Sequence, residues 1–225
     1  MEGMTRQSTS DAVDPLGWRL VLGVLVTHVP VGSLTDAARV ATAAVDAAGA
    51  EGPGHLTAEL FADRVVLRLQ DVAVGDVTAT DVALARRITD ALGGIGSATV
   101  AGDAVAPQTL EIAIDASDIA RVRPFWQAVT GYVDEPHPAD LPPNALSDPL
   151  RRSPTIWFQQ MDPPRGGRNR IHLDVDVPPE RVAARMAAAL AAGGRLVSDA
   201  AAPSFWVLAD PEGNEACLCT WQGRD

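Results

Sequence analysis

The first half of the chain alternates between strand-like and helix-like hydrophobic patterns. Runs of aliphatic residues predict three strands, over residues 18–28, 56–61 and 64–70. Apolar positions at helical spacing predict two helices, over residues 34–48 and 80–92. Ser33 is the expected N-cap of the first helix, and Thr78 or Thr80 that of the second. The order β-α-β-β-α indicates an α+β fold, a small sheet covered by two helices on one face.

A segment rich in Gly, Ala and Ser, near residues 93–108, separates the first half of the chain from a second half that contains a weak internal repeat. Each repeat begins with a strand followed by a helix, and the helices end at Gly131 and Gly193. Further short strands are predicted over residues 155–161, 205–209 and 215–220. Two βαβββ-like modules side by side explain this pattern. We therefore predict four segments: a flexible tail 1–13, a domain 14–94, a linker 95–107 and a domain 108–225.

Side-chain alternation divides the strands of the second half into an apolar face and a polar face. Helices need an apolar sheet face for packing, so the polar set is left for the other side. Trp157 and Trp206 are expected to form aromatic walls beside it. A polar face that mixes acids, an amide, a histidine and cysteines with tryptophans favours a ligand pocket over the alternative, a sheet with one face in solvent. The polar set comprises Glu111, Asp115, Trp157, Gln159, Arg170, His172, Asp174, Asp176, Glu215, Cys217 and Cys219.

Composition narrows the class of protein. The chain has 47% hydrophobic and 21% charged residues, typical of a globular protein, and its net charge of −11 disfavours nucleic acid and anionic membranes as partners. Cys217 and Cys219 are two residues apart, too close for an unstrained disulfide. No signal peptide or membrane-spanning run is apparent. We expect a cytoplasmic protein.

Three phrases in the second half carry a family resemblance: IAIDASDIARVRPFWQAVTGY, NRIHLDVDV and FWVLADPEGNEACL. Together they resemble a glyoxalase-like domain of the vicinal oxygen chelate superfamily, which includes glyoxalase I, bleomycin-resistance proteins and extradiol dioxygenases. The resemblance covers residues 109–221. It implies paired βαβββ modules around a U-shaped cavity. In metal-using members, four side chains from the first and last strands of the modules hold a divalent cation that chelates vicinal substrate oxygens.

Carried over position by position, the resemblance implies Glu111, Gln159, His172 and Cys217 as ligands of Zn, Ni, Fe or Mn. Cys217 departs from the usual carboxylate and biases the set toward zinc. Glu215, on the same face, is an alternative fourth ligand. Glu111 or Glu215 is the implied proton shuttle. The resemblance leaves two functions open: a metal-dependent lyase or isomerase type of enzyme, and a metal-free protein that sequesters or senses a ligand.

The first half resembles pterin-4a-carbinolamine dehydratases, chiefly over DRVVLRL and VGDVTATDVALARRI. Those enzymes use three histidines, but the matching positions here hold Gly54, His55 and Val72. Neither Gly nor Val can transfer a proton. We therefore expect an inactive dehydratase-like domain in which His55 is a vestigial loop residue. An active pterin dehydratase is the third hypothesis for function.

The expected partner is a small, oxygenated or anionic molecule. The arginines of PPRGGRNR (163–170), including Arg170, are candidates for gripping an anion bidentately, and an Arg-rich surface turn is the alternative. Both resembled families form oligomers, which makes a homodimer the candidate assembly.

Overall fold

The chain forms two compact units, which are described separately. The computed structural model describes residues 5–100, 107, 109–137, 143–162, 172–220 and 222–223. The first unit comprises Met1–Thr109 and Pro136–Pro142, and the second comprises Leu110–Glu135 and Pro143–Asp225. Within the described ranges, no helix is long and apolar enough to cross a membrane.

The first unit is one antiparallel sheet with three helices. Its four strands are ordered β1-β2-β4-β3. Short 3₁₀ helices lie at Asp14–Leu16 and Gly49–Glu51. The elements are α1 (Arg6–Val13), β1 (Arg19–Val21), β2 (Val24–Pro30), α2 (Leu34–Ala48), β3 (Leu56–Leu60), β4 (Arg64–Leu69) and α3 (Ala79–Gly94).

Local signals placed α2 and α3 correctly. Ser33 caps α2 by accepting a hydrogen bond from the Asp36 backbone N–H at 3.1 Å. Thr78 caps α3 in a capping box with Asp81, whose carboxylate accepts from the Thr78 backbone N–H at 2.7 Å. The predicted bounds 34–48 are confirmed, and α3 extends the predicted 80–92 by one residue at its N-terminal end and two at its C-terminal end.

Two predictions for the first unit are wrong. The single strand predicted over residues 18–28 is a hairpin, because Leu22 (φ 48°) and Gly23 (φ 71°) turn the chain between β1 and β2. A flexible tail was predicted over residues 1–13, but residues 6–13 form α1. Val13 at its end is fully buried in the core, which holds this helix against the sheet.

The core of the first unit lies between the sheet and its helices. Trp18 is fully buried, and its indole N–H donates to the Thr89 hydroxyl at 2.9 Å. This bond satisfies the polar atom of a large apolar side chain. Other fully buried side chains are Leu25, Leu67, Leu69, Leu84, Ile88 and Leu92.

The second unit contains two four-stranded sheets, each of βαβββ connectivity. The sheets are ordered β5-β8-β7-β6 and β10-β11-β12-β9, and in each the first and last strands of the module pair in parallel. The first module comprises β5 (Glu111–Ala116), α4 (Ile119–Thr130), β6 (Val133–Asp134), β7 (Ala145–Ser147) and β8 (Thr155–Gln160). The second comprises β9 (Leu173–Asp176), α5 (Pro179–Ala191), β10 (Arg195–Ser198), β11 (Phe205–Ala209) and β12 (Glu215–Cys219). The predicted α+β fold with two βαβββ modules is confirmed.

Carboxylates tie the two modules together at the turn after β11. Asp210 is fully buried and accepts hydrogen bonds from the Trp126 indole at 3.0 Å and the Asn214 side chain at 2.7 Å. Glu212 accepts from the backbone N–H groups of Ser117 and Asp118 at 2.9 and 2.7 Å, just before α4. Since these acceptors belong to the second module and the donors Trp126, Ser117 and Asp118 belong to the first, the turn fixes one module against the other.

Candidate functional site

Alternation of burial separates the two faces of the second unit's sheets, as the sequence predicts. On β8, Ile156 and Phe158 are buried whereas Gln159 is exposed. On β9, Asp174 and Asp176 are exposed. The apolar faces pack with α4 and α5 in one core. On the polar faces Gln159, Asp174 and Asp176 are exposed, whereas Cys217 and Cys219 of β12 are buried.

Three polar side chains converge on the polar face of the second module. His172 precedes β9, Asp174 lies on β9, and Cys217 lies on β12 directly beside Asp174 in the parallel register. His172 Nε2 is 3.3 Å from Asp174 Oδ1. One possible ligand atom from each residue lies within 4.8 Å of the others. We call these three residues the His-Asp-Cys cluster.

The cluster is open to solvent on one side only. The side chains of His172 and Asp174 are 51% and 57% exposed, whereas Cys217 is 6% exposed. Burial, followed by the nearby Asp174 carboxylate, raises the pKa of the Cys217 thiol to about 12. Glu215 on the same strand adds to this rise. Cys217 is therefore a neutral thiol at neutral pH and not a free thiolate nucleophile.

Strand register separates Glu111 from Gln159, two of the ligands implied by the resemblance. Glu111 pairs with Thr155, whereas Gln159 pairs with Asp115, four residues further along both strands. At about 3.3 Å per residue, this offset is roughly 13 Å. The first module therefore does not bring Glu111 and Gln159 together. Within the described residues, the His-Asp-Cys cluster includes neither Glu111 nor Glu215.

Trp206 does not face the predicted pocket. It pairs with Leu218 across β11 and β12, and directly paired residues point to the same face. Leu218 is fully buried in the apolar core, so Trp206 lies on the helix side. Its neighbour Val207 pairs with Cys217 and takes the polar face instead. The prediction of an aromatic wall at Trp206 was wrong because β11 lies in the opposite phase to that assumed from its sequence.

The other predicted pocket residues have different outcomes. Trp157 is half-buried beside Ala113 on the polar face of the first module. Glu215 is half-buried on the strand of Cys217. Arg170 and the other residues of the 163–170 segment lie outside the described residues.

Acidic side chains dominate the polar faces. The strands β5, β8, β9 and β12 contain no Arg or Lys, and their five acidic residues are Glu111, Asp115, Asp174, Asp176 and Glu215. An open cavity of about 730 Å³ lies at the start of α5, lined in part by Asp176, Glu180, Thr220 and Gln222. Asp176 belongs both to this cavity and to the polar face of β9. The volume lies within the usual range for small-molecule sites.

The first unit holds a second polar constellation, around His55. Its Nδ1 is 2.8 Å from Asp81 Oδ1, and Nε2 is 4.0 Å from Asp71 Oδ2. Asp81 is fully buried, while the His55 side chain is 17% exposed. The sequence predicted His55 as a vestigial loop residue, whereas the structure pairs it with Asp81. The capping-box spacing from Thr78 to Asp81 was the available signal.

A model of a glyoxalase-like domain family matches residues 111–219. Solved structures similar to this chain include a glyoxalase/bleomycin resistance protein/dioxygenase family enzyme from Burkholderia phytofirmans, 22% identical, covering 49% of this chain and 95% of that one, with a TM-score of 0.41. A glyoxalase-related enzyme from Fulvimarina pelagi is 18% identical over 50% of this chain and 87% of that one, with a TM-score of 0.38. A fosfomycin resistance protein from Listeria monocytogenes is 12% identical over 53% and 95%, with a TM-score of 0.41. No curated protein sequence matches the chain significantly.

The family match spans both βαβββ modules and ends at the last residue of β12. It includes every member of the His-Asp-Cys cluster. Residues 111–219 therefore form a glyoxalase-like domain of the vicinal oxygen chelate superfamily.

Proposed function

We propose that the second unit binds a small, oxygen-bearing molecule on the polar face of its second module, next to the His-Asp-Cys cluster. The convergence of His172, Asp174 and Cys217 on the polar face of the second module is the observation that carries this proposal. Imidazole and carboxylate groups at 3.3 Å can donate to and accept from the hydroxyl or carbonyl oxygens of a ligand. The adjoining cavity at Asp176 provides space for the rest of the molecule.

Charge restricts the ligand. Five acidic residues and no basic residue on the four strands repel a bare anion. A neutral polyol, hydroxy-ketone or amine-bearing ligand can bind directly, whereas a carboxylate or phosphonate needs an accompanying cation. The anionic ligand suggested by the sequence depended on arginines of the 163–170 segment, so the described residues favour a neutral ligand or an ion-assisted one.

The cluster also fits a divalent metal ion, the cofactor that the superfamily resemblance implies. His172, Asp174 and Cys217 would supply nitrogen, oxygen and sulfur donors, and the exposed sides of His172 and Asp174 leave an approach for a ligand. Such an ion supplies Lewis acidity toward adjacent ligand oxygens. Glu215, the nearby carboxylate outside the cluster, is the residue we assign to proton transfer. A metal-free sequestering protein is the competing version of the same site.

Calorimetric titration of the full chain with simple vicinal-oxygen compounds tests the proposal. The panel should contain diols, hydroxy-ketones and hydroxy acids, each with and without a chelator. We expect at least one compound to bind, with affinity reduced at least tenfold by His172→Ala and unchanged by Asp199→Asn, an exposed aspartate of the same unit. Binding unaffected by His172→Ala and Asp174→Asn would place the ligand elsewhere and contradict the proposal. Binding that survives the chelator supports the metal-free version.

The His55–Asp81 pair favours a second candidate function, in the first unit. A buried carboxylate that orients an imidazole is one arrangement that general-base catalysis uses. The other two histidine positions implied by the dehydratase resemblance are Gly54 and Val72. We therefore propose weak proton transfer on a pterin-like ligand, which an absence of turnover would also refute. Turnover of a carbinolamine pterin tests this proposal: a weak rate that His55→Ala abolishes supports it, and a rate indifferent to His55→Ala refutes it.

A further inference from the structure

We infer that the His-Asp-Cys cluster is a three-residue zinc site contained within the second module. It differs from the four-residue set of the superfamily, which draws on both modules. The inference rests on the proposed ligand face, but it names a donor, Asp174, that the resemblance does not supply. It also removes Glu111 and Gln159 from the donor set.

Geometry is the first support. For donor distances of about 2.0–2.3 Å, a tetrahedral zinc site places its donor atoms about 3.3–3.8 Å apart. His172 Nε2 and Asp174 Oδ1 are already 3.3 Å apart. All three donor atoms lie within 4.8 Å of one another, so an ion requires at most about 1.5 Å of contraction. The exposed side chains of His172 and Asp174 can supply that movement by rotation, while Cys217 stays fixed on β12.

Backbone register explains why the cluster is preorganised. Cys217 is the direct parallel neighbour of Asp174, so their side chains leave the sheet on the same face. His172 lies two residues before Asp174, and alternation returns its side chain to that face as well. By contrast, Cys219 is the parallel neighbour of Asp176, one pair further along the strands, and lies outside the cluster.

Donor chemistry then selects the ion. An imidazole, a carboxylate and a thiolate suit zinc, whereas the thiolate disfavours magnesium, calcium and manganese. When Zn²⁺ binds, the Cys217 thiol releases its proton to solvent, and the resulting thiolate and the Asp174 carboxylate together balance the charge of the ion. Three protein donors with an open fourth position are typical of catalytic rather than structural zinc sites. The more than 50% exposure of His172 and Asp174 keeps that position accessible.

The test is zinc and cobalt binding to the chelator-treated full chain under a phosphine reductant. We expect one equivalent of Zn²⁺ by calorimetry, and with Co²⁺ a thiolate-to-cobalt charge-transfer band in the near ultraviolet. His172→Ala and Asp174→Asn should weaken zinc binding by more than about 100-fold, because even outer partners of metal ligands change affinity 10- to 100-fold. Both side chains are exposed, so circular dichroism should show folded variants. Cys217→Ser should remove the charge-transfer band.

Two control variants make the result specific. Cys219→Ser leaves the thiol of the cluster intact, and Gln159→Ala removes the amide implied by the resemblance; both should keep the affinity and the cobalt band. Zinc binding that is lost in Gln159→Ala but kept in Asp174→Asn would establish the superfamily set and overturn the inference. Absence of stoichiometric binding to the unmodified chain would also overturn it. Neither result decides the proposed ligand binding, which is measured separately by titrating the organic compounds with and without a chelator.

Discussion

Asp210 is the residue whose loss should most damage the second unit. Its carboxylate accepts from the Trp126 indole, the Asn214 side chain and three backbone N–H groups of the following turn. Asp210→Ala leaves the indole of Trp126, which is 2% exposed, without its partner. An unpaired buried donor costs about 1–3 kcal/mol, and each hydrogen bond to a charged group contributes about 1.5–3 kcal/mol, although the contributions are not additive. We expect a loss of about 4 kcal/mol.

Urea unfolding followed by tryptophan fluorescence measures this loss. The second unit holds four of the five tryptophans, so the signal reports mainly on that unit. With an m-value of about 1.5 kcal/mol/M, a loss of 4 kcal/mol lowers the unfolding midpoint by about 2.5 M. The matched control is Asp199→Asn, an exposed aspartate of the same unit, which should change the midpoint by less than about 0.3 M. A midpoint change below about 0.7 M for Asp210→Ala would refute the assignment of Asp210 as the organising carboxylate of this turn.

Three further predictions follow from individual residues. At pH 8, Cys217 should be alkylated far more slowly than an ordinary thiol of pKa 9.0, because its pKa of about 12 implies an about 1,000-fold smaller thiolate fraction. Asp174→Asn should accelerate the alkylation of Cys217, because the nearby carboxylate contributes to the raised pKa. Tandem mass spectrometry distinguishes alkylation at Cys217 from alkylation at Cys219. The stability of the second unit should fall as pH rises from 9 toward about 12, since the Cys217 thiol loses its proton in the unfolded chain but keeps it in the folded one. Unfolding curves at pH 8 and 10.5 measure this fall. Equal stability at both pH values would contradict the raised pKa of Cys217. Leu22→Asn should stabilise the first unit by about 1 kcal/mol, because Leu22 is exposed at φ 48° in a hairpin turn that favours Asn. Thermal unfolding measures this change, and a lower melting temperature for the variant would refute the turn assignment.

The sequence predicted correctly those helices and strands whose position is set by residues within the same segment. Helix α2 was predicted to the residue because Ser33 and the apolar spacing after it act within a single segment. The βαβββ modules were predicted because the two halves of the second unit repeat the same pattern, with Glu111 and His172 at matching positions. The hairpin at Leu22 was missed because leucine is disfavoured at a left-handed turn position, so the sequence signal points to a continuous strand.

The site was predicted less completely because strand register is non-local. Parity within one strand put His172 and Asp174 on the same face, which the structure confirms. The separation of Glu111 from Gln159 depends on how β5 aligns with β8, and nothing within either strand encodes that alignment. In the same way, the pairing of His55 with Asp81 joins residues 26 positions apart, across β3, β4 and the start of α3.

The most direct test of the central claim is an anomalous difference map, recorded at the zinc edge from crystals of the full chain grown with Zn²⁺. If the His-Asp-Cys cluster is the functional centre of the glyoxalase-like domain, the map shows a peak about 2.0–2.3 Å from His172, Asp174 and Cys217. A peak held instead by Glu111 or Gln159, or no peak at the cluster in zinc-saturated crystals, would contradict the claim.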